Sequence, residues 1–559
     1  MRLIKNYKYL EYVLLAMVLA FAMLLYFFKL DKVPAGFYVD EASPAYNAYS
    51  LLQTGKDEYG KSFPILFRSL GLYLTPAYTY LSILPIKLFG LSIFSARFVA
   101  VVSGLLSAIV VFVFVKCLHF VKHTYTALVT TLFFVITPWI FFYSRIGYEI
   151  SLSYLFISLT ALLLWQALKN PKYLVGALIV GSLSTYSGFM PRYLIPLFFL
   201  AYVIVFKSQI LLPKNKKYVL LGLAGALVIQ IPHLLIFNTP AFLLKSDLIG
   251  TGQITSQASK LSFIFIYPLN YVFAFVREFL ANYIGYFSLK SLFFLPDPDL
   301  QRSIPDLAVF YSWMLPLFLY GVFSLFKAED GNFKKFVLLM ILVFPIPASF
   351  TKDPFATHRA IALLLPFMLI MALAVDKLLS KFAIKALATI GLIVGGSLIL
   401  LWRSYFVLYA HERASVSGFG YSILAENISL KSDHFVIDQS RIKPAYILLA
   451  FFNKLPSNQV QSSVDPVIKE NYYRDVIFND RYSLANFETR NINWESDIYK
   501  DQILVGDRFA ISESQAREHF LTKEFDIKNP LNEIVFSGYR TDPDKKCANT
   551  GSESIYCNR

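Results

Sequence analysis

The chain has 559 residues, of which 56% are hydrophobic, 17% aromatic and 16% charged, and its formal net charge is +15. An ordinary soluble domain carries roughly 25% charged residues, so the composition excludes a disordered chain and a typical cytosolic enzyme. Apolar stretches of the roughly 20 residues that a spanning helix needs recur along the sequence, so the basic excess reads as membrane topology and no nucleic-acid partner is expected.

Eleven spans are predicted, at residues 9–28, 94–115, 124–143, 150–168, 173–188, 193–206, 218–237, 306–326, 336–350, 358–376 and 386–408. The first follows Arg2, Lys5 and Lys8 and is too long for a signal-peptide core, so it reads as an uncleaved span. Residues 72–90 are also apolar, but Pro76, Pro85 and Lys87 interrupt them. They are expected to lie in the membrane interface, because an extra span there would invert the charge pattern downstream. The N-terminus and the loops on its side then carry seventeen basic residues, against four in the short loops of the other side. That bias puts the N-terminus in the cytoplasm, and an odd number of spans puts the C-terminus outside. Two long loops, 29–93 and 238–305, fall on the outer side, the second with an aromatic-rich segment, 263–294, suited to the membrane surface.

After Tyr409 the apolar runs shorten and charges become dense. Residues 434–438 and 502–505 read as strands and 444–452 as a helix. The chain thus divides into a spanning part, 1–409, and a soluble extracytoplasmic α/β domain, 410–559, with no nucleotide-binding fingerprint. Cys117, Cys547 and Cys557 lack metal-ligand spacing. Cys547 and Cys557 are close enough to pair in an extracytoplasmic tail, and spacing does not choose between a disulfide and two thiols.

With this topology the unusual polar residues gather on the outer face: Asp40 and Glu41 after the first span, Asp57 and Glu58 farther along that loop, Arg145 and Glu149, Arg192, and His358 with Arg359. Ionisable groups at span mouths are costly to leave unpaired, and several at one level suggest a shared wet cavity. A carboxylate can take a proton from an acceptor hydroxyl or hold a divalent cation. An Arg or His can bind phosphate and stabilise the charge that develops as it leaves. Such a face suits an amphiphilic, phosphate-bearing substrate. Each residue also has a plain structural reading. Asp57 and Glu58 fit a structural or surface pair, Arg145 and Glu149 an i,i+4 ion pair, Arg192 and Arg359 contacts to lipid headgroups, and His358 a helix end.

Several segments in this order carry a resemblance: Val39-Asp40-Glu41-Ala42, Gly55-Lys56-Asp57-Glu58-Tyr59-Gly60, Ser144-Arg145-Ile146-Gly147-Tyr148-Glu149, Phe189-Met190-Pro191-Arg192-Tyr193 and His358-Arg359-Ala360. Residues 1–410 resemble family 39-like bacterial glycosyltransferases, relatives of the protein O-mannosyltransferases and of the aminoarabinose transferases of lipid A. The resemblance implies a C-type glycosyltransferase architecture, a polyprenyl-phosphate sugar donor and inverting transfer to a protein or glycolipid acceptor on the outer face of the bilayer. It implies Asp40 as the catalytic base with Glu41 beside it. Glu149 stands where relatives often have Asp, as a second acidic residue of the site. Arg192 and Arg359 would meet the donor phosphate, and Asp57, Glu58, Arg145 and His358 join them as candidate substrate contacts. Metal use varies in the superfamily, so a divalent cation is left open. A ligase or polymerase of lipid-linked glycans would use the same groups. A transporter or flippase, the less favoured alternative, would want charges deep in the spans and internal repeats, whereas the predicted spans hold few charges and no repeat stands out.

Overall fold

The computed structural model describes residues 2–69, 71–243, 251–261, 266–440, 445–474, 481–550 and 556–557. Among them, eight helices are long and apolar enough to cross a bilayer, and three shorter apolar helices complete a bundle at the eleven expected places. In chain order the bundle and its first loop begin with α1 (Arg2–Phe27), α2 (Val39–Thr54), α3 (Pro76–Phe89), α4 (Ile93–Lys116), α5 (Thr126–Ile136), α6 (Pro138–Tyr143), α7 (Ile150–Ala167), α8 (Tyr173–Ser184), α9 (Phe189–Ile210) and α10 (Lys216–Ile236). They continue with α11 (Tyr267–Gly285), α12 (Met314–Phe326), α13 (Gly331–Val343) and α14 (Leu364–Leu401).

Local chemistry explains the departures from the expected boundaries. The span expected at 124–143 is two helices, because Pro138 forces Thr137 to an extended backbone (φ −60°, ψ 126°) between α5 and α6. The spans expected at 358–376 and 386–408 both fall largely within α14, 38 residues from Leu364 to Leu401. A straight helix of that length would measure about 57 Å, nearly twice the hydrocarbon thickness. The chain doubles back instead. Asp376 accepts hydrogen bonds from the Lys122 and His123 amides and the Thr126 hydroxyl at the start of α5. Ser397 bonds the Trp313 indole at the head of α12, and Tyr405, just past α14, stacks edge-on against Phe141 of α6. The chain therefore descends to one face and returns to the other.

Residues 72–90 become a strand, β2 (Leu72–Leu74), paired with β1 (Phe67–Ser69), followed by α3. At 14 residues, α3 is too short to cross. It buries Tyr78, Ser82 and Ile86 and exposes Leu81, Leu84 and Leu88, the pattern of a helix lying in the interface. The segment expected at 263–294 begins outside the described residues. Its helix α11 exposes Leu269, Val272, Phe273, Val276, Leu280 and Ile284 along one stripe.

The C-terminal domain is a six-stranded mixed sheet in the order β4-β5-β3-β6-β8-β7. Its strands are β3 (Phe435–Ile437), β4 (Tyr482–Leu484), β5 (Phe487–Thr489), β6 (Ile503–Gly506), β7 (Thr522–Lys528) and β8 (Ile534–Arg540). The central strands β3 and β6 are parallel and covered on both faces. Phe435, Ile437, Ile503 and Val505 enter one core with α15 (Tyr421–Leu430) and α16 (Ala445–Phe452), while Val436 and Leu504 enter another. Burial on both sides is why these strands read as unbroken apolar runs. Residue 444, expected to open α16, lies outside the described residues. Cys547 and Cys557 form a disulfide.

This domain sits on the end of the bundle where α1 hands over to α2. Phe37 packs on Phe451, and the Tyr46 hydroxyl donates to the Leu455 carbonyl. Side chains at Gly36 or Gly418 would collide with backbone across this junction, and Gly418 also has φ +78°, so only glycine lets the two layers meet so closely.

Candidate active site

The first turn of α2 carries Asp40 and Glu41. Carboxylates are favoured there because helix N-termini present unpaired amides and a positive dipole end. The two residues face different surroundings. Glu41 is 2% exposed and held by Arg97 of α4, which is fully buried. Arg97 Nε donates to Oε1 at 2.8 Å and Nη2 to Oε2 at 3.0 Å. The Gly147 amide adds a bond to Oε1 at 2.7 Å and the Tyr38 amide one to Oε2 at 3.3 Å. Arg97 spends its other donors on the Leu30, Pro34 and Gly36 carbonyls. Glu41 borders the cavity with both oxygens occupied, and its pair with Arg97 clamps the first turn of α2 to the bundle.

Asp40 lies where two cavities adjoin. The first, about 170 Å³, is walled by Tyr38, Asp40, Tyr148, Gln301, Arg302 and Ser417 among others. The second, about 250 Å³, runs from Asp40, Tyr148 and Glu149 to apolar walls at Ile157, Phe189, Met190, Leu194 and Ile361. Asp40, Tyr148 and His358 line both. Arg359 lines the second and pairs with Asp353 at 2.9 Å. Arg302 is held among three carboxylates, Asp299 at 3.2 Å and Asp297 and Asp353 each at 3.6 Å, with His358 Nδ1 at 3.4 Å. Asp297 is fixed from behind by the Thr357 amide and hydroxyl, and that hydroxyl also bonds the Tyr143 hydroxyl. Burial pushes the Asp297 carboxyl up, opposed by Arg302 and these hydrogen bonds. Among the described residues no group of three or more His, Cys, Asp or Glu is arranged to hold a metal ion.

Asp40, Glu149, His358 and Arg359, brought together from distant parts of the sequence, share this space. Four other candidates stand elsewhere. Arg145 is buried and donates to the carbonyls of Leu25, Phe28 and Val33, with Phe141, Tyr405 and Phe406 around its guanidinium. It caps the C-terminal end of α1, where a cation meets orphan carbonyls and the negative dipole end. Arg192 packs over the Phe242 ring and donates weakly to the Phe242 carbonyl, behind Phe189 of the cavity wall. Asp57 and Glu58 are fully buried beneath the C-terminal domain. Asp57 accepts from the Tyr472 hydroxyl and the Lys61 and Tyr59 amides, and Glu58 from the Asn47 amide group and the Tyr446 hydroxyl.

That last geometry gives a pH prediction. Burial pushes Asp57 up to about 6 and Glu58 up to about 8, against about 4 for both in an unfolded chain. The docked state retains protons that the free state releases, so docking is fully stable below about pH 4 and weakens as pH rises to about 8. Hydrogen-exchange protection at 446–474, taken relative to the intrinsic amide rate at each pH, is expected to fall over that interval, and Glu58→Gln is expected to flatten the dependence. Equal pH profiles for the two proteins would contradict it.

Sequence reasoning missed Arg97, Asp297, Asp299, Arg302 and Asp353. Arg97 is a lone charge at the start of a span, which by itself signals a partnered or functional group. The other signal was the run Asp297-Pro298-Asp299-Leu300-Gln301-Arg302, dense in charge within an otherwise aromatic loop.

Residues 74–236, from β2 through α10, match the family described as dolichyl-phosphate-mannose-protein mannosyltransferase. No curated protein matches the chain by sequence. Its fold is similar to that of ArnT from Cupriavidus metallidurans. The apo form aligns with TM-score 0.53 at 12% identity, and the form bound to undecaprenyl phosphate with 0.53 at 13%. Each alignment covers 94% of this chain and 97% of that one. The chain thus resembles the mannosyltransferase family by sequence across residues 74–236 and shares the fold of ArnT over nearly its whole length.

Proposed function

We propose that the protein moves a sugar from a polyprenyl-phosphate donor to an acceptor at the extracytoplasmic face, by a single inverting displacement with Asp40 as base. The observation that carries this reading is the position of Asp40 at the junction of a polar and an apolar-walled cavity. An amphiphilic donor needs both. Its isoprenoid end suits the walls at Ile157, Leu194 and Ile361, and its phosphate suits His358 and Arg359, with Arg302 beside them. The acceptor hydroxyl then attacks the anomeric carbon from the side opposite the phosphate. The carbon–oxygen bond to the phosphate breaks, the lipid phosphate leaves as an anion stabilised by the cations, and the hydroxyl proton passes to Asp40. Asp297 and Asp353 orient the guanidiniums, and Glu149 is a second acidic group beside the reacting centre. The seventeen-to-four division of basic residues supports an outward-facing site.

The reading is tested by transfer from a radiolabelled polyprenyl-phosphate sugar in reconstituted membranes. Arg359→Gln removes one charged hydrogen-bond donor, worth about 1.5–3 kcal/mol. The KM for the donor is expected to rise on the order of tenfold or more while the acceptor KM stays unchanged. An unchanged donor KM would remove Arg359 from the phosphate site.

A further inference from the structure

A second cleft, about 760 Å³, opens in the C-terminal domain. It lies at the carboxyl ends of the parallel neighbours β3 and β6, where Asp438 follows the first strand and Asp507 the second. The chain leaves β3 for β5 on one side and returns to β6 on the other, so this is the switch point of the sheet, the place where open α/β sheets bind ligands.

Three observations say what fits there. The wall includes Asp438, Asp507, Glu513 and Glu533 against Arg508, a balance that repels anions and accepts hydrogen bonds from hydroxyl or amine groups. Tyr421, 1% exposed, also lines the cleft, and its buried hydroxyl has no hydrogen-bond partner. Burial, with Asp438 and Asp507 nearby, holds that hydroxyl protonated, so it is a donor awaiting an acceptor. Phe509 is 63% exposed at the rim, with the Arg508 guanidinium 4.8 Å over its ring. Carboxylates, a phenol and an exposed ring form a surface for sugar hydroxyls and the apolar face of a pyranose. A peptide would ordinarily add to a sheet edge, and this cleft lies across strand ends instead.

Its position ties it to the transfer site. Ser415 lines this cleft, while Val416 and Ser417 line the Asp40 cavity. One turn of chain separates the two spaces, and the Gln301 side chain bonds the Val416 carbonyl from the Asp40 side.

We propose that this cleft is the acceptor subsite and that the acceptor is a hydroxyl-rich carbohydrate without net negative charge. The inference rests on the reading of the Asp40 cavity as the transfer site. Saturation-transfer NMR on the full chain in detergent tests it with chitotetraose, maltotetraose, tetragalacturonate and an oligolysine peptide. One of the neutral tetrasaccharides is expected to bind and tetragalacturonate is not. Phe509→Ala, at an exposed ring, and Asp507→Asn, which keeps the oxygen that accepts from the Phe509 and Ala510 amides, are expected to weaken that binding about tenfold or more. Asp40→Asn is expected to leave it intact. Binding by neither neutral sugar, equal binding of tetragalacturonate, binding of oligolysine alone, or indifference to both cleft variants would overturn the acceptor assignment. Full transfer activity in Asp40→Asn would overturn the reading of the Asp40 cavity and leave the sugar-binding result standing.

Discussion

Asp40→Asn is expected to lower transfer by about 10²–10⁴-fold, the range over which a positioned general base contributes, with folding and donor binding retained. Asn is nearly isosteric with Asp and keeps one oxygen, so it preserves the first turn of α2 while removing the proton acceptor. The loss should therefore fall on kcat with the donor KM near its wild-type value, because the proposed phosphate contacts are His358 and Arg359. The measurement is the rate of sugar transfer in proteoliposomes at saturating donor, beside thermal unfolding of the same preparation. Transfer at the wild-type rate would sink the assignment, and a collapse of both rate and stability would show that Asp40 holds the fold.

The second large effect is on stability. Arg97→Met should destabilise the protein by about 3–5 kcal/mol, since removing one member of a buried ion pair leaves the other charge uncompensated in a low dielectric. Here the stranded group is Glu41, 2% exposed, and three backbone carbonyls lose their donors as well. Adding Glu41→Gln to Arg97→Met removes the stranded charge and keeps an acceptor for the Gly147 amide. The double variant should recover part of the lost stability, as replacement of whole buried pairs often does. Unfolding followed by tryptophan fluorescence in detergent reports both variants. A single variant as stable as the wild type, or a double variant no better than the single, would mean that the pair does not clamp the loop to the bundle.

Arg145 and the pair Asp57 and Glu58 show where sequence reading stopped. Arg145 sits three residues from Tyr148 and four from Glu149, so its local spacing suggests an ion pair. In the folded chain its donors reach the end of α1, more than a hundred residues earlier. Asp57 and Glu58 resemble substrate ligands in a loop motif, yet they meet Tyr472 and Tyr446, 415 and 388 residues away. Side-chain type and local spacing carry no information about such partners. Asp40 and Glu41 are adjacent in sequence and chemically alike, and the helical rotation between neighbours sends one to the shared cavity and the other to Arg97.

The bundle, its eleven apolar segments and the C-terminal α/β domain were legible in the chain order, because length of apolar run and hydrophobic period are local properties that water and lipid sort directly. The chain's ordered motifs also carry the resemblance to C-type glycosyltransferases. Tertiary contacts settle which charges face the cavities and which are spent on carbonyls, that the chain reverses between Asp376 and Ser397, and that a single turn at Ser415–Ser417 divides the two clefts. Those outcomes depend on contacts between residues hundreds of positions apart. A buried charge takes whatever partner packing brings to it, and the chain order does not record that choice.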